Sequence, residues 1–233
     1  MFEPLYVILT TYLRQQEALR TVDKVLANFE YEGDLRWIIV DDGSPEVEDR
    51  PYVYPLIEAI ETAGHEVIKV YNSERRGVGH GMNVGIRTVL GHEGQVFLML
   101  EDDWELLDLG YDFTPDVDLL LGHEDIGMIR YGYLAAGMSF HLFGRDNRLW
   151  FRIEPHQYKF SGHPSLRHVR FHRAYGMYRE GLPPGETELS MCAQVNQHPQ
   201  GPMIITPCYY TQAYGLFGHI GTNSLKNEQP RKE

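Results

Sequence analysis

Cysteine is scarce in this chain of 233 residues, which contains two of them. Cys192 and Cys208 form neither a Cys-x-x-Cys pair nor a spacing typical of metal sites. This scarcity argues against a disulfide-stabilised secreted domain. It predicts buried, reduced thiols in a cytosolic protein.

Long hydrophobic runs are missing as well. No stretch reaches the roughly 18 apolar residues that a transmembrane helix needs. Residues 1–4 lack the basic and apolar features of a signal peptide. We therefore expect a cytoplasmic protein without a membrane span, with peripheral contact at a membrane as an alternative. The polar tail at 226–233 is expected to be flexible.

Positive charge is in short supply. Lys and Arg number 21 against 33 Asp and Glu, which gives a formal net charge of -12. Such a surface repels phosphate backbones, so general nucleic-acid binding is not expected. The 42% hydrophobic content is that of an ordinary globular protein. A chain of this length can fold without disulfides or a structural metal.

Strand and helix patterns alternate along the first hundred residues. The predicted buried strands are 5–9, 37–40, 67–71 and 96–100. The predicted helices are 15–29, 54–63 and a segment that runs from a glycine-rich turn at 77–81 to residue 89. This alternation predicts an α/β fold with a mostly parallel sheet flanked by helices, in which ligands bind beyond the carboxyl ends of the strands.

The second half has a different pattern. Residues 126–133 and 138–143 are predicted strands, and a hairpin turn at 144–147 leads into another at 149–153. No linker separates the halves. We therefore expect one continuous domain with a first half at 1–105 and a second half at 106–225.

Polar clusters follow three of the predicted strands, at Thr10–Thr11, Asp41–Asp42 and Glu101–Asp103. Adjacent carboxylates at a strand end repel each other, and a divalent cation with oxygen ligands relieves that repulsion. The acidic cluster therefore indicates a metal and diphosphate site. A solvated acidic turn is the alternative interpretation.

The order of segments 7–12, 38–44, 77–85 and 100–103 resembles family 2 of the GT-A glycosyltransferases. The likeness covers about the first 105 residues and continues more loosely to the C-terminus. It implies a GT-A fold and an inverting transferase that uses Mn²⁺ or Mg²⁺. The donor would be a nucleotide sugar, with UDP preferred, and the acceptor a saccharide or another hydroxyl compound bound by the second half.

By that resemblance, the donor-binding residues are Thr10, Thr11, Tyr12, Asp41, Asp42, Gly79, Asn83, Glu101 and Asp102. The three residues after the first strand would line the nucleoside pocket. Asp42 would accept a hydrogen bond from the base and Asp41 would support the loop. Asp102 would contact ribose or sugar hydroxyls, and Gly79 with Asn83 would shape the wall near the pyrophosphate.

One position departs from the family pattern. Met82 stands where an arginine often precedes the asparagine, which removes a cationic contact to the donor. Arg75 or Arg76 is a candidate replacement, and an exposed arginine pair is the alternative.

The resemblance also implies the metal ligands. Asp103 would be the main ligand, with Glu101 at the first acidic position of the motif. Phe217–Gly221 resembles the C-terminal histidine element of the family, so that His219 would return to the metal. Histidine and carboxylate together are normal ligands for manganese-like ions.

The general base is expected at the start of a helix in the second half. Gly185–Met191 resembles the acidic pair that precedes a helix in this family, and the alignment makes Glu186 the base. Glu188 is the alternative, because the usual Glu-Asp pair is not intact. Acids that stabilise a helix N-terminus are a further interpretation.

Ser165–Arg173 is a basic stretch that either binds an acceptor phosphate, as on a lipid-linked carrier, or forms a solvated helix face. A homodimer is a further possibility. Two other functions stay open. One is a nucleotidyltransferase that makes nucleotide sugars, although 10–14 lack its glycine-rich basic loop, and the other is an inactive sugar-binding module. A dehydrogenase is disfavoured because 77–81 do not match its glycine motif.

Overall fold

The computed structural model describes residues 2–47, 49–107, 110–132, 138–156, 158–208 and 215–221. The expected flexible tail at 226–233 and the end of the strand predicted at 126–133 lie outside these ranges.

Six helices and eleven strands lie in the described ranges, numbered in chain order. The helices are α1 (Gln15–Asn28), α2 (Tyr54–Thr62), α3 (Val78–Gly91), α4 (Thr114–Gly122), α5 (Arg170–Tyr175) and α6 (Pro184–Gln197). The strands are β1 (Leu5–Thr11), β2 (Leu35–Asp41), β3 (Glu66–Tyr71), β4 (Val96–Glu101), β5 (Trp104–Leu106), β6 (Ile126–Arg130), β7 (Phe140–Arg145), β8 (Arg148–Ile153), β9 (Ser165–His168), β10 (Met203–Pro207) and β11 (Phe217–His219).

Nine of these strands form one sheet in the order β3-β2-β1-β4-β9-β6-β10-β8-β7. The first four are parallel, as the alternating pattern predicts. β1 lies between β2 and β4, and Thr10 is in register with both Val40 and Glu101. The carboxyl ends of the three strands therefore meet at one edge of the sheet.

Helices cover both faces of the sheet. On one face, α1, α2 and α4 pack on side chains such as Leu5, Val7 and Leu9. On the other, α3, α5 and α6 pack on the alternate set, such as Tyr6 and Ile8. Because successive strand residues point to opposite faces, a strand buried on both sides reads as a continuous apolar run.

Two elements of the second half bear on the site. β11 pairs with β5 in a small antiparallel sheet that puts His219 opposite Trp104. The backbone N–H of Ile220 donates to the carbonyl of Asp103 at 2.8 Å. The last described segment is thus held against the end of β4. The hairpin prediction is confirmed: β7 and β8 are joined at Asp146 and Asn147, which both have positive φ.

The first four residues of the basic stretch fit neither sequence interpretation. Ser165–His168 is a fully buried strand between β4 and β6, and the Arg167 side chain is 0% exposed. Arg167 donates to the hydroxyls of Ser165 and Tyr178 at 2.9 and 2.5 Å. Buried guanidinium groups must use their donors inside the protein, so this strand neither grips an acceptor phosphate nor forms a solvated face.

Among the helices of the described part of the chain, none combines the length and the apolar character that crossing a membrane requires.

Candidate active site at the carboxyl ends of the strands

Two adjoining cavities open at the carboxyl ends of β1, β2 and β4. The first, here the strand-end cavity, has walls that include Thr10, Thr11, Tyr12, Asp42, Glu101 and Asp102. The second, here the acid cavity, has walls that include Glu101, Asp103, Trp104, His163, Glu188 and His219. Glu101 lines both. The two cavities therefore adjoin at the acidic end of β4.

Asp102 is fixed between the strand ends. It accepts hydrogen bonds from the Thr11 hydroxyl at 2.7 Å and the Tyr12 backbone N–H at 3.4 Å. Burial raises its pKa to about 6, although these donors and the nearby Arg14 work in the opposite direction. The carboxylate is thus oriented by β1 before any ligand arrives.

Glu101 lies where carboxylates crowd. Burial raises its pKa to about 8, and the charges of Asp103, Asp102 and Glu188 add to the effect. The shift favours the protonated form of Glu101, which lowers the repulsion at the end of β4. Gly162 makes room for it, because a Cβ there would lie 2.6 Å from Glu101 Oε1.

Asp103 and His219 come together as the resemblance implies. His219 Nε2 lies 3.3 Å from Asp103 Oδ2. The pair can lie this close to the backbone because residue 221 is glycine: a Cβ on Gly221 would lie 2.4 Å from Asp103 Oδ2 and 2.9 Å from His219 Nε2. A carboxylate and an imidazole that lie side by side in the wall of one cavity fit a manganese-like ion.

The described residues supply few ligands to such an ion. In the part of the chain that the structure describes, no group of three or more His, Cys, Asp or Glu side chains is placed to hold a metal. A cation at Asp103 and His219 would therefore need ligands from a bound substrate. Ions that bridge phosphates commonly use one or two carboxylates and phosphate oxygens in this way.

The two aspartates after β2 have different surroundings. Asp42 lines the strand-end cavity and accepts hydrogen bonds from Asn72 Nδ2 and the backbone N–H groups of Arg76 and Gly77, at 2.9, 2.9 and 2.7 Å. A carboxylate has about four acceptor sites, so one remains for a ligand. Asp41 accepts from Ser44 Oγ at 2.6 Å and supports the loop, as expected.

Gly79 and Asn83 lie inside α3 and line neither of the two cavities. The turn predicted at 77–81 is limited to its first residue, because the helix begins at Val78. Asn83 exchanges hydrogen bonds with the backbone of Tyr178 and donates to Glu180, each at 2.9 Å. Gly79 packs on the carbonyl of Arg179. Their observed contacts are with 178–180, the segment that leads to α6.

The two acids of α6 are placed differently. Glu188 lines the acid cavity, and its Oε1 accepts a hydrogen bond from the Gly162 backbone N–H at 2.6 Å. Glu186 is exposed and is not among the residues lining either cavity. The geometry therefore favours the alternative, Glu188, over the residue that the alignment selects.

Two residues of the site, Arg14 and His163, are not predicted from the sequence. Arg14 donates to Asp103 Oδ2 at 2.5 Å and to Asp102 Oδ1 at 3.4 Å. His163 lines the acid cavity, and burial with the nearby Arg130 lowers its pKa to about 3. Arg14 carries a weak signal, since it follows the motif at Thr10–Tyr12. No sequence pattern marks His163.

The structure also shows where Met82 and Arg75 lie, the two residues that concern the departure from the family pattern. Arg75 lines the strand-end cavity with its guanidinium 4.6 Å from the centre of the Tyr12 ring. Met82 is buried and lines the acid cavity. Arg75 is therefore available as the cationic group that Met82 does not supply.

The family described as Glycosyl transferase family 2 matches residues 6–109. These residues include all the strand-end motifs. No curated protein matches the sequence.

Solved structures extend the likeness to most of the chain. TarS 1–349 from S. aureus with UDP-GlcNAc has a TM-score of 0.64 at 11% identity and covers 90% of this chain and 57% of its own. Mannosyltransferase PcManGT from Pyrobaculum calidifontis with GDP-Man and Mn²⁺ has a TM-score of 0.56 at 14% identity, covering 87% and 54%. GalNAc-T7 with UDP, GalNAc and Mn²⁺ has a TM-score of 0.62 at 17% identity, covering 94% and 43%.

Because these identities are low, the likeness shows the fold alone, and that fold is the GT-A fold. The chain spans less than two thirds of the length of each of these neighbours.

Proposed function

We propose that this chain, whose residues 6–109 match the Glycosyl transferase family 2 model and which has a GT-A fold, is a nucleotide-sugar-dependent glycosyltransferase. It would move the sugar to a hydroxyl group of an acceptor. The observation that carries the proposal is the adjoining of the two cavities at Glu101. One contains the residues suited to a nucleotide, and the other joins the Asp103–His219 pair to a carboxylate suited to accept a proton.

The nucleotide would occupy the strand-end cavity. Thr10, Thr11 and Tyr12 form its β1 wall, and the remaining acceptor site of Asp42 suits a ring N–H such as that of uracil. Asp102 would accept from ribose or sugar hydroxyls. UDP is the proposed nucleotide, supported by TarS and GalNAc-T7, whose structures contain UDP-GlcNAc and UDP.

Asp103 and His219 would hold the divalent ion, with further ligands from the diphosphate. Mn²⁺ is present in the structures of PcManGT and GalNAc-T7, which supports this assignment. When bound, such an ion stabilises the negative charge that develops on the departing nucleoside diphosphate. Gly221 is required because the Cβ of any other residue would collide with Asp103 Oδ2 and His219 Nε2.

Glu188 is the proposed general base. The Gly162 N–H holds its Oε1, which leaves Oε2 to accept the proton of the acceptor hydroxyl. As that proton leaves, the hydroxyl oxygen bonds to the anomeric carbon and the bond from that carbon to the diphosphate oxygen breaks. A single displacement of this kind inverts the anomeric carbon. A lipid-linked acceptor and a homodimer remain predictions.

A panel of nucleotide sugars incubated with Mn²⁺ tests the proposal. We expect slow hydrolysis of one UDP-sugar without acceptor and faster loss when hydroxyl acceptors are added. Release of pyrophosphate from a nucleoside triphosphate and a sugar phosphate would instead indicate a nucleotidyltransferase. Binding of nucleotide sugars without any turnover would indicate an inactive module.

A further inference from the structure

Arg14 reaches the acids through an unusual turn between β1 and α1. The residue before it, Leu13, has a φ of 55°, a left-handed conformation that is unfavourable for a leucine. The Leu13 backbone N–H donates to Ser44 Oγ at 3.1 Å, and that hydroxyl donates to Asp41 at 2.6 Å. The loops after β1 and β2 thus hold the turn that directs Arg14. Backbone outliers held in this way concentrate at functional sites.

The Arg14 guanidinium lies on the oxygen that the proposed metal would need. Its Nη1 is 2.5 Å from Asp103 Oδ2. The same oxygen lies 3.3 Å from His219 Nε2. The Asp103 side chain is 11% exposed and that of Arg14 22% exposed. A guanidinium cannot lose its charge in a protein. A divalent ion on that oxygen would therefore face a fixed positive charge at close range.

Arg14 also lines the strand-end cavity, as does Arg75. A diphosphate in that cavity would offer anionic oxygens to the guanidinium, which binds phosphates well through its planar donors. Arg14 therefore has two possible partners, Asp103 when the cavity is empty and the diphosphate when it is filled.

We propose that Arg14 is a resident counter-cation that competes with the divalent ion for Asp103 and makes cation binding depend on the diphosphate. The proposal rests on the proposed function for the identity of the diphosphate. With no nucleotide, the ion must displace Arg14 and binds weakly. With a nucleotide, Arg14 moves to the diphosphate and the ion binds more tightly. By linkage, the ion strengthens nucleotide binding by the same factor.

The test is a titration of Mn²⁺, followed by the electron paramagnetic resonance signal of the free ion, with and without saturating UDP. Without UDP, we expect Arg14→Gln to bind Mn²⁺ about 10-fold more tightly than the natural protein, within the usual range of coupling between sites. UDP should then tighten Mn²⁺ binding less in this variant than in the natural protein. Arg14→Lys, which keeps a positive charge, should stay close to the natural protein.

Arg20→Gln is the matched control. Arg20 also belongs to the β1–α1 region and pairs with an acid, Glu105, at 2.7 Å, but its side chain is 58% exposed and lines neither cavity. Its loss should leave Mn²⁺ binding unchanged. Circular dichroism of the free proteins checks that each variant is folded.

An Arg14→Gln protein that is folded and binds Mn²⁺ no more tightly than the natural protein, or not at all, would overturn the proposal. The titration without UDP needs no nucleotide, so it reports on Arg14 even if the proposed function is wrong. Failure of UDP to bind the natural protein would count against the proposed function and the coupling, while the competition would still be decided by the first titration.

Discussion

The strand-end cavity and the acid cavity share Glu101, yet they are assembled from the chain in different ways. The wall residues of the strand-end cavity come from within residues 10–102, with Pro184 as the exception. The acid cavity draws instead on the 160–163 loop, the start of α6 and β11, as well as on the end of β4. One cavity is built by neighbouring strands, and the other by segments far apart in sequence.

The difference explains how each cavity holds its side chains. In the strand-end cavity, parallel register places Thr10 beside Glu101 and Thr11 beside Asp41. In the acid cavity, single contacts decide the geometry, such as the Gly162 N–H on Glu188 and the Ile220 N–H on the Asp103 carbonyl. We therefore expect changes in the acid cavity to affect the reaction, and changes in the strand-end cavity to affect nucleotide binding.

The largest effect is expected for Glu188→Gln. A glutamine keeps the shape but cannot accept the acceptor proton, so transfer should fall by ~10²–10⁴-fold, the usual contribution of a general base. UDP affinity, measured by calorimetry, should stay within about twofold because the nucleotide lies in the other cavity.

Glu186→Gln is the matched control, since the residue is two positions away and exposed. It should keep nearly full transfer. If Glu186→Gln is inactive and Glu188→Gln keeps full transfer, the assignment of Glu188 as the general base is wrong and Glu186 is the base. If both variants keep full transfer, the general base lies elsewhere.

A smaller loss is expected for Gly221→Ala. The added methyl group would lie 2.4 Å from Asp103 Oδ2 and 2.9 Å from His219 Nε2, so both side chains must shift. A displacement of about 1 Å in an active site costs on the order of 10²-fold in rate. We expect that loss in transfer together with weaker Mn²⁺ binding, measured by titration.

Gly218→Ala gives the comparison from β11, three residues before Gly221. A Cβ there would first meet Leu107 Cδ2 at 3.5 Å, which is an ordinary contact. This variant should behave like the natural protein. Equal Mn²⁺ affinity in the two alanine variants would contradict the assignment of Asp103 and His219, which lie against Gly221, as the metal ligands.

How far the sequence predicts each cavity follows the same division. Apolar runs that end in polar residues identify β1, β2 and β4, and parallel pairing then brings their ends together. The placement of Asp42, Asp102 and Asp103 at one edge of the sheet is therefore predictable from the sequence. The partners of Asn83 and Arg167 are not found, because they depend on how 176–183 folds back over α3 and β9. Long-range packing of loops has no local pattern.

The Asp42→Asn change tests the strand-end cavity. Two protein donors, from Asn72 and Arg76, bond to Asp42 Oδ1, and one, from Gly77, bonds to Oδ2. The amide oxygen of the variant would take the Oδ1 position, so its NH₂ group would face the nucleotide base. A base N–H left without an acceptor costs about 1–3 kcal/mol. We expect UDP affinity to fall by a comparable amount in calorimetry, while transfer at saturating donor falls only slightly.

Asn72→Ala is the control, because it removes one hydrogen-bond donor to Asp42 and keeps the Asp42 carboxylate that would bind the nucleotide base. Its UDP affinity should change by less than about twofold. Unchanged affinity in Asp42→Asn would remove Asp42 from the nucleotide site, whatever the control shows.

The smallest effect on transfer is expected for Arg170→Met, a change at a half-buried residue of the basic stretch that lines neither cavity. Arg170 Nη1 donates to the carbonyls of Leu120, His123 and Ile126 at 2.8, 2.7 and 3.1 Å, where α4 ends and β6 begins. Carbonyls left unpaired at a helix end destabilise the fold. Hydrogen bonds from a charged group contribute about 1.5–3 kcal/mol, so urea unfolding should show a loss of this size, with transfer and UDP affinity unchanged.

Arg173→Gln is the matched control because Arg173 is exposed on the same short helix. It should unfold like the natural protein. A loss of transfer in Arg170→Met without a loss of stability would return this residue to the acceptor site that its sequence suggests.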